Sequence, residues 1–173
     1  MSNSDERTLL LLRHAKAEAP WGMSDADRGL TKHGGEQARD VGEYLASESL
    51  VPDGVLVSDS RRTRATYAWI ASILGEDAPS AYVDSRLYES PAAAMIAVIN
   101  ETPTTVRSLL VVGHLPAVQD AAMRLSSADS DEDAVLDMAG GFPPAGLCVF
   151  KVPGEWEGLD GRDARLERFI TVG

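Results

Sequence analysis

The chain has 173 residues, 44% of them hydrophobic and 25% charged, which is the composition of one globular domain over residues 1–173. Its net charge of −11, from 16 Lys and Arg against 27 Asp and Glu, argues against binding to nucleic acid or to an anionic membrane. One cysteine, Cys148, excludes an intrachain disulfide, and the polar start MSNSDER differs from a signal peptide, so we expect a cytoplasmic protein.

Short apolar runs predict the strands of a sheet that is covered on both faces, because they lack alternating polar residues. The predicted strands are residues 9–12, 55–57, 109–112, 147–152 and 166–172. None of these runs is long enough to span a bilayer.

Helical patterns separate the predicted strands. Thr31 and Ser60 are good N-caps for two helices, residues 92–99 form a third candidate, and Pro116 starts a fourth that runs to residue 125. Strands that alternate with helices predict a three-layer α/β/α sandwich with a largely parallel central sheet. Two stretches are predicted loops, namely the Ser- and Asp-rich residues 126–133 and the segment GGFPPAG at 140–146.

Chemically capable side chains follow three of the predicted strands. Arg13 and His14 come directly after the first, residues 58–62 (SDSRR) after the second, and His114 after the third. Ligands of open α/β sheets bind outside the carboxyl ends of the strands. We therefore expect two histidines and at least two arginines to gather at one edge of the sheet.

This set of side chains suits phosphoryl transfer. A neutral imidazole is a competent nucleophile near pH 7, and guanidinium groups bind phosphate oxygens while keeping their charge. A helix that begins after Ser60 would add backbone N–H donors.

Each residue also has a simpler interpretation. His114 is compatible with a structural histidine at a strand end, and His33 with a surface residue on a polar helix start. Arg61, Arg62 and Arg64 are compatible with a solvated helix face. Cations near a helix N-terminus oppose the helix dipole, however, which favours an anion beside them.

Other chemistries fit the sequence poorly. There is no G-x-x-x-x-G-K-[ST] loop and no G-x-G-x-x-G after the first strand. Three scattered histidines and one cysteine offer no metal-ligand spacing, so we expect no metal and no cofactor. Cys148 lies in an apolar strand without cationic neighbours, which disfavours a thiolate nucleophile.

At these positions the chain resembles the histidine phosphatase superfamily, the phosphoglycerate-mutase-like group, and within it the SixA-type phosphohistidine phosphatases. The matching segments are 10–16 (LLLRHAK), 27–31 (DRGLT), 57–63 (VSDSRRT), 112–116 (VGHLP) and 142–147 (FPPAGL). Ala15 replaces the glycine of most members, and Asp59 stands where proline is usual.

The resemblance implies that His14 is the phosphorylated nucleophile and that Arg13, Arg62 and His114 bind the phosphoryl group. It also implies a contribution from Arg28, although Arg28 is equally compatible with a surface arginine paired with Asp25 or Asp27.

The proton donor is open at this stage. Glu89 is the best acid candidate by position, but it also fits a surface carboxylate before a helix. A phosphohistidine substrate relaxes the need for an acid, because a protonated imidazole is a good leaving group. The leading prediction is therefore a metal-independent phosphatase for phosphohistidine on proteins. The alternatives are a phosphatase for small phosphorylated molecules and a catalytically silent phosphate-binding module, and the sequence leaves the oligomeric state open.

Overall fold

A computed structural model describes residues 6–173. Six strands form one sheet in the order β3-β2-β4-β1-β5-β6. β3, β2, β4 and β1 run parallel to one another, and β5 is antiparallel to both of its neighbours. The strands are β1 (Arg7–Arg13), β2 (Gly54–Ser58), β3 (Ala81–Asp84), β4 (Ser108–Gly113), β5 (Leu147–Val152) and β6 (Arg165–Ile170). The first five residues, which contributed to the argument against a signal peptide, lie outside the described residues.

Helices cover both faces of the sheet. They are α1 (Lys32–Ser47), α2 (Arg61–Leu74), α3 (Ala92–Asn100), α4 (Ala117–Leu125) and α5 (Glu132–Gly140). Within β1, Leu10 and Leu12 pack into the core beneath α1 and α2, whereas Leu9 and Leu11 pack into the core beneath α3 and α4. Alternate side chains of one strand thus enter two cores, which is why β1 is apolar without a polar alternation. The predicted three-layer α/β/α sandwich is confirmed.

The predicted helix starts are confirmed by their caps. The Thr31 hydroxyl accepts a hydrogen bond from the backbone N–H of Gly34 at 2.9 Å, and the Ser60 hydroxyl accepts one from Thr63 at 3.3 Å. Pro116 directly precedes α4. No helix in the described part of the chain is both long and apolar enough to cross a membrane.

Two elements differ from the sequence prediction. The loop predicted for residues 126–133 is wrong at its carboxyl end, because Asp131 caps α5 and accepts from Ala134 N–H at 2.9 Å. Acidic residues in the first turn of a helix interact favourably with the helix dipole, but in the sequence they look like part of a polar loop. Strand β3 was not predicted because it is an edge strand in which a short apolar run, residues 81–83, includes the exposed side chains of Tyr82 and Val83.

Gly34 permits a close approach of α1 to the segment that follows β1. A Cβ atom at this position would lie 2.1 Å from the carbonyl oxygen of Lys16. That carbonyl also accepts the backbone N–H of Thr31 at 3.0 Å, so it cannot move aside without losing a hydrogen bond. The first turn of α1 can therefore pack at this distance only because Gly34 has no side chain.

We expect Gly34→Ala to destabilise the protein by about 1–3 kcal/mol, because α1 must shift away from the backbone of Lys16. The free energy of unfolding in urea measures the change. Gly140→Ala is the matched control, since a Cβ at this position of α5 has no atom within 4 Å. Equal stabilities of the two variants would contradict the prediction.

Candidate active site

The candidate site lies at the carboxyl edge of the sheet, where β1, β2 and β4 end side by side. His14 follows β1, Ser58 ends β2, and His114 follows β4. The backbone N–H of His14 donates to the carbonyl of Gly113 at 3.0 Å and so continues the pairing of β1 with β4. The two imidazole rings consequently lie with their centroids 5.4 Å apart.

The ring of His14 is oriented with one nitrogen available for attack. Its Nδ1 lies 2.7 Å from the carbonyl oxygen of Ala15, which can only accept, so Nδ1 carries the proton. The neutral ring then keeps its lone pair on Nε2. Burial, assisted by the charges of Arg62 and Arg13, lowers the pKa of His14 to about 3. His14 is therefore neutral across the physiological pH range, with a lone pair on Nε2.

His114 is held by two polar neighbours. Arg62 Nη2 lies 3.2 Å from Nδ1, and because a guanidinium only donates, Nδ1 accepts. The other nitrogen, Nε2, therefore carries the proton and donates to the Ser58 hydroxyl at 2.7 Å. Burial first, and then the charge of Arg62, lowers the pKa of His114 to about 4. An anion beside Arg62 would reverse the second effect and favour a protonated His114.

Two arginines supply positive charge beside the histidines. The guanidinium of Arg13 donates to the carbonyl of Phe142 at 2.8 Å. The Nε atoms of Arg13 and Arg62 are both buried and have no hydrogen-bond partner among the described residues. A buried donor without an acceptor is costly, so an oxyanion that accepts from these groups would be bound favourably.

The three arginines near the start of α2 differ in their placement. Arg62 is only 5% exposed, whereas Arg61 and Arg64 are exposed to solvent. Successive residues of a helix point in different directions, so a single one of these arginines faces the sheet edge. The interpretation as a solvated face holds for Arg61 and Arg64 and fails for Arg62.

Thr66 connects the two parts of the site. Its hydroxyl accepts the backbone N–H of Ala15 at 3.0 Å and donates to the carbonyl of Arg62 at 2.7 Å. This side chain therefore holds the segment after β1 against α2. Thr66 was not predicted as a site residue, because no neighbouring residue in the sequence distinguishes it from an ordinary helix residue.

Asp25 is the acidic residue that binds Arg62, and this contact was not predicted from the sequence. Its carboxylate accepts from Arg62 Nη2 at 3.0 Å, from Arg28 Nε at 3.1 Å and from the Tyr88 hydroxyl at 2.5 Å. Its backbone carbonyl accepts Arg62 Nη1 at 2.7 Å. The hydrogen bond from Tyr88 and the arginine contacts lower the pKa of Asp25 to about 2. The same bond raises the pKa of Tyr88 to about 12.

The two remaining candidates lie at the rim. Arg28 is partly exposed and pairs with Asp25, which in turn pairs with Arg62, so Arg28 is linked to the site through one carboxylate. Glu89 is exposed and lines, together with His114, a cavity of about 380 Å³ that also includes Leu87 and Ser90. Neither side chain hydrogen-bonds to His14 in the described structure.

The site combines a lone pair on a buried nitrogen with an excess of hydrogen-bond donors. Among residues 6–173, no group of three or more His, Cys, Asp or Glu side chains is arranged to hold a metal ion. The arrangement is suited to bind a tetrahedral oxyanion and to attack its central atom from His14.

An α/β fold with two neutral histidines and two arginines at the edge of its sheet defines a class of phosphoryl-handling proteins. The family model of the histidine phosphatase superfamily (branch 1) matches residues 9–96, slightly more than half of the chain. The protein Rv1276c of Mycobacterium tuberculosis is 35% identical over 159 residues, which are 91% of this chain and 98% of the relative. The chain therefore belongs to the histidine phosphatase superfamily.

Two solved structures have the same fold. One is assigned as a phosphohistidine phosphatase SixA from Nakamurella multipartitia, with a TM-score of 0.85, 26% identity and 96% of each chain covered. The other, assigned in the same way, is from Agrobacterium tumefaciens, with a TM-score of 0.78, 27% identity, and 96% of this chain and 98% of that chain covered. The resemblance drawn from the motifs is confirmed at the level of the superfamily and of these SixA neighbours.

We expect the stability of the protein to fall as the pH is lowered from 7.5 to 5. The pKa values of His14 and His114 are about 3 and about 4 in the folded protein, below the ordinary 6.5, so the unfolded chain takes up protons first. By linkage, each imidazole lowers the stability at pH 5 by on the order of 2 kcal/mol. Urea unfolding at both pH values measures the loss.

The variants His14→Asn and His114→Asn should each lose part of this pH dependence. The exposed His33 provides the control, because His33→Asn should leave the pH dependence close to that of the wild type. An unchanged pH dependence in both site variants would show that other groups are responsible. The carboxylate of Asp25 does not interfere, since its pKa falls from 3.8 to about 2 on folding and the stability that it contributes is lost mainly below about pH 4.

Proposed function

We propose that this protein is a metal-independent phosphatase that forms a covalent phosphohistidine at Nε2 of His14. One observation carries the proposal. The Nδ1 proton of His14 is held by the Ala15 carbonyl, which leaves Nε2 free, and the charges of Arg62 and Arg13 act on this ring while each guanidinium keeps a buried Nε without an acceptor among residues 6–173. Arg13, Arg62 and His114 would bind the phosphoryl oxygens, and Arg28 would support Arg62 through Asp25.

The reaction would proceed in two displacements. In the first, the lone pair of Nε2 forms a bond to phosphorus while the bond from phosphorus to the leaving group breaks. In the second, the oxygen of a water molecule bonds to phosphorus while the bond to Nε2 breaks and its electron pair returns to the nitrogen, and inorganic phosphate leaves with both protons of the water. Arg13 and Arg62 would stabilise charge on the equatorial oxygens in both steps. No step in this scheme requires a metal ion.

We infer that the substrate is a phosphohistidine on a protein. The carboxylate nearest to Arg62, Asp25, is ionised because its pKa is about 2, and Tyr88 keeps its proton because its pKa is about 12. Neither group is a good acid at neutral pH, so a leaving group that departs without a new proton is favoured. The two SixA neighbours are assigned to phosphohistidine, which supports the same substrate class.

A cytoplasmic location fits this substrate. Cys148 is fully buried in β5, and burial raises the pKa of its thiol, so it has the character of a core residue and not of a redox centre. The described residues contain no other cysteine. We propose that the protein acts in a reducing compartment on phosphorylated proteins.

A phosphatase for small phosphorylated molecules is the second candidate. The cavity of about 380 Å³ shared by His114 and Glu89 favours it, because a small leaving group could occupy this space. Glu89 would then protonate the leaving oxygen. A catalytically silent phosphate-binding module is the third candidate, and any measured turnover excludes it.

We expect His14→Ala to abolish hydrolysis of an aryl phosphate, because no other histidine in the site has a free Nε2. Wild-type activity should survive EDTA, and vanadate or tungstate should inhibit it by occupying the oxyanion site. Rapid quenching without acid should trap label on the peptide that contains His14, stable in base and lost in acid.

His33→Ala is the matched control, since His33 lies exposed on α1 and should retain wild-type activity. Label on a serine or cysteine peptide would refute the nucleophile. Loss of activity in EDTA with recovery on addition of zinc or magnesium would refute the metal-free mechanism.

We expect kcat/KM to be higher for a phosphohistidine peptide than for a phosphoserine peptide or for sugar phosphates. The reason is that an imidazole departs readily, whereas an alkoxide requires a positioned acid. Glu89→Gln should leave phosphohistidine hydrolysis almost unchanged, as should the control Glu76→Gln on an exposed turn. If an alkyl phosphate is the best substrate and Glu89→Gln removes that activity, Glu89 is the acid and the small-molecule candidate is correct.

A further inference from the structure

Several cations lie exposed on the layer formed by α1 and α2 and have no acidic partner. They are Lys32, Arg39, Arg61 and Arg64. None of them takes part in an ion pair formed within residues 6–173. Arg61 and Arg64 reach only backbone carbonyls, those of Asp27 and Ser60. Their charges therefore remain available to solvent or to a ligand.

Three other arginines of this acidic protein, all with partly or fully exposed side chains, are neutralised by carboxylates. Arg86 contacts two carboxylates at 2.7 and 2.6 Å, Arg124 contacts Asp160 at 2.7 Å, and Arg165 contacts Glu167 at 3.2 Å. With 27 acidic residues against 16 basic ones, an exposed arginine meets a carboxylate easily. Among the described residues Arg162 is a single exposed arginine without an ion pair, whereas the layer of α1 and α2 gathers four such cations.

An exposed aromatic side chain accompanies these cations. Trp69 on α2 is 44% exposed, and the guanidinium carbon of Arg39 lies 6.0 Å from the centroid of its ring. Trp69, Arg39 and Lys32 line a cavity of about 350 Å³ whose floor includes Leu30 and Gly35. Tryptophan and arginine together are enriched where protein partners bind.

This surface is continuous with the candidate active site. Arg61 packs against Gly29, which follows Arg28, and it directly precedes the buried Arg62. From the first residue of α1, Arg39 lies about 10 Å further along the helix axis, and Trp69 lies about 12 Å beyond Arg61 on α2. The surface thus begins at the site rim and extends beyond the reach of a small ligand bound at His14.

We propose that Lys32, Arg39, Arg61, Arg64 and Trp69 form a docking surface for a protein whose phosphohistidine is surrounded by carboxylates. This inference rests on the proposed function, because it assigns the kind of substrate presented to His14. Carboxylates of the partner would pair with the four cations while its phosphohistidine enters the sheet edge. The cavity beside Trp69 would receive an apolar side chain of the same partner.

The observations favour a protein over a nucleic acid. A phosphodiester backbone would meet a molecule with a net charge of −11, and the acidic Glu36 and Asp59 lie exposed beside the four cations. An acidic protein meets the same repulsion at long range, but it can place its carboxylates selectively against the cations. The mixture of one tryptophan, four cations and a shallow cavity suits such local complementarity.

The test compares two phosphohistidine peptides of about 20 residues, one flanked by glutamates and one by glutamines. For wild type, we expect kcat/KM to be about tenfold higher for the glutamate peptide at low salt, with the difference lost at high salt. The combined variant Lys32→Ala, Arg39→Ala, Arg64→Ala should remove this preference and leave kcat/KM for free phosphohistidine unchanged. Arg162→Ala, at the opposite edge of the sheet, is the control and should keep the preference.

A binding measurement separates failure of the docking surface from failure of the proposed function. The unphosphorylated glutamate peptide should bind wild type more tightly than the combined variant, whether or not any phosphohistidine is hydrolysed. Binding that persists without hydrolysis refutes the phosphatase assignment and leaves the docking surface standing. Equal binding to both proteins, no preference for glutamate, or binding of single-stranded DNA that the combined variant abolishes would overturn the docking proposal.

Discussion

The buried guanidinium of Arg62 is the charge around which the site is arranged. It lies at the start of α2, close to two imidazoles, and it is only 5% exposed. A charge in this position needs compensation, and Asp25 supplies it with both its carboxylate and its backbone carbonyl. Because Asp25 also binds Arg28 and Tyr88, one carboxylate orders the loop after β1, the start of α2 and the segment after β3. The lowered pKa values of the two histidines follow from their burial beside this cation.

The neutral state of His14 has a direct chemical consequence. An imidazole that stays unprotonated, with one nitrogen tied to the Ala15 carbonyl, presents a single lone pair in a defined direction. Burial and the positive charges of Arg62 and Arg13 keep the imidazole neutral. These two arginines are also the groups proposed to bind the phosphoryl oxygens. A bound phosphoryl group would offset that positive charge and raise the pKa of His114, so binding of substrate and protonation of His114 are expected to be coupled.

Charge is distributed unevenly over the molecule. The net charge is −11, yet the layer of α1 and α2 beside the site carries four exposed cations that form no ion pair within residues 6–173, whereas Arg86 and Arg124 are paired with carboxylates. The overall charge affects how the protein approaches other molecules at long range, whereas the local charge decides which anionic groups are tolerated near His14. This difference explains how an acidic protein can bind phosphoryl groups and supports a partner that brings its own carboxylates to one limited surface.

Much of the fold and part of the site were determined by the sequence alone. Short apolar runs located five strands, Thr31 and Ser60 marked two helix starts, and parallel strand ends required that His14 and His114 meet. These features depend on neighbours in the chain or on the geometry of a parallel sheet. Strand β3 and helix α5 were not predicted. The side chains of an edge strand are partly exposed, and an acidic first turn of a helix resembles a loop in the sequence. Only the tertiary structure decided that Arg62 turns inward while Arg61 and Arg64 do not, that Asp25 holds Arg62, and that Thr66 joins α2 to Ala15. Those contacts join residues 37 and 51 positions apart, and the pKa values depend on burial, so both are set by distances through space that no local pattern records.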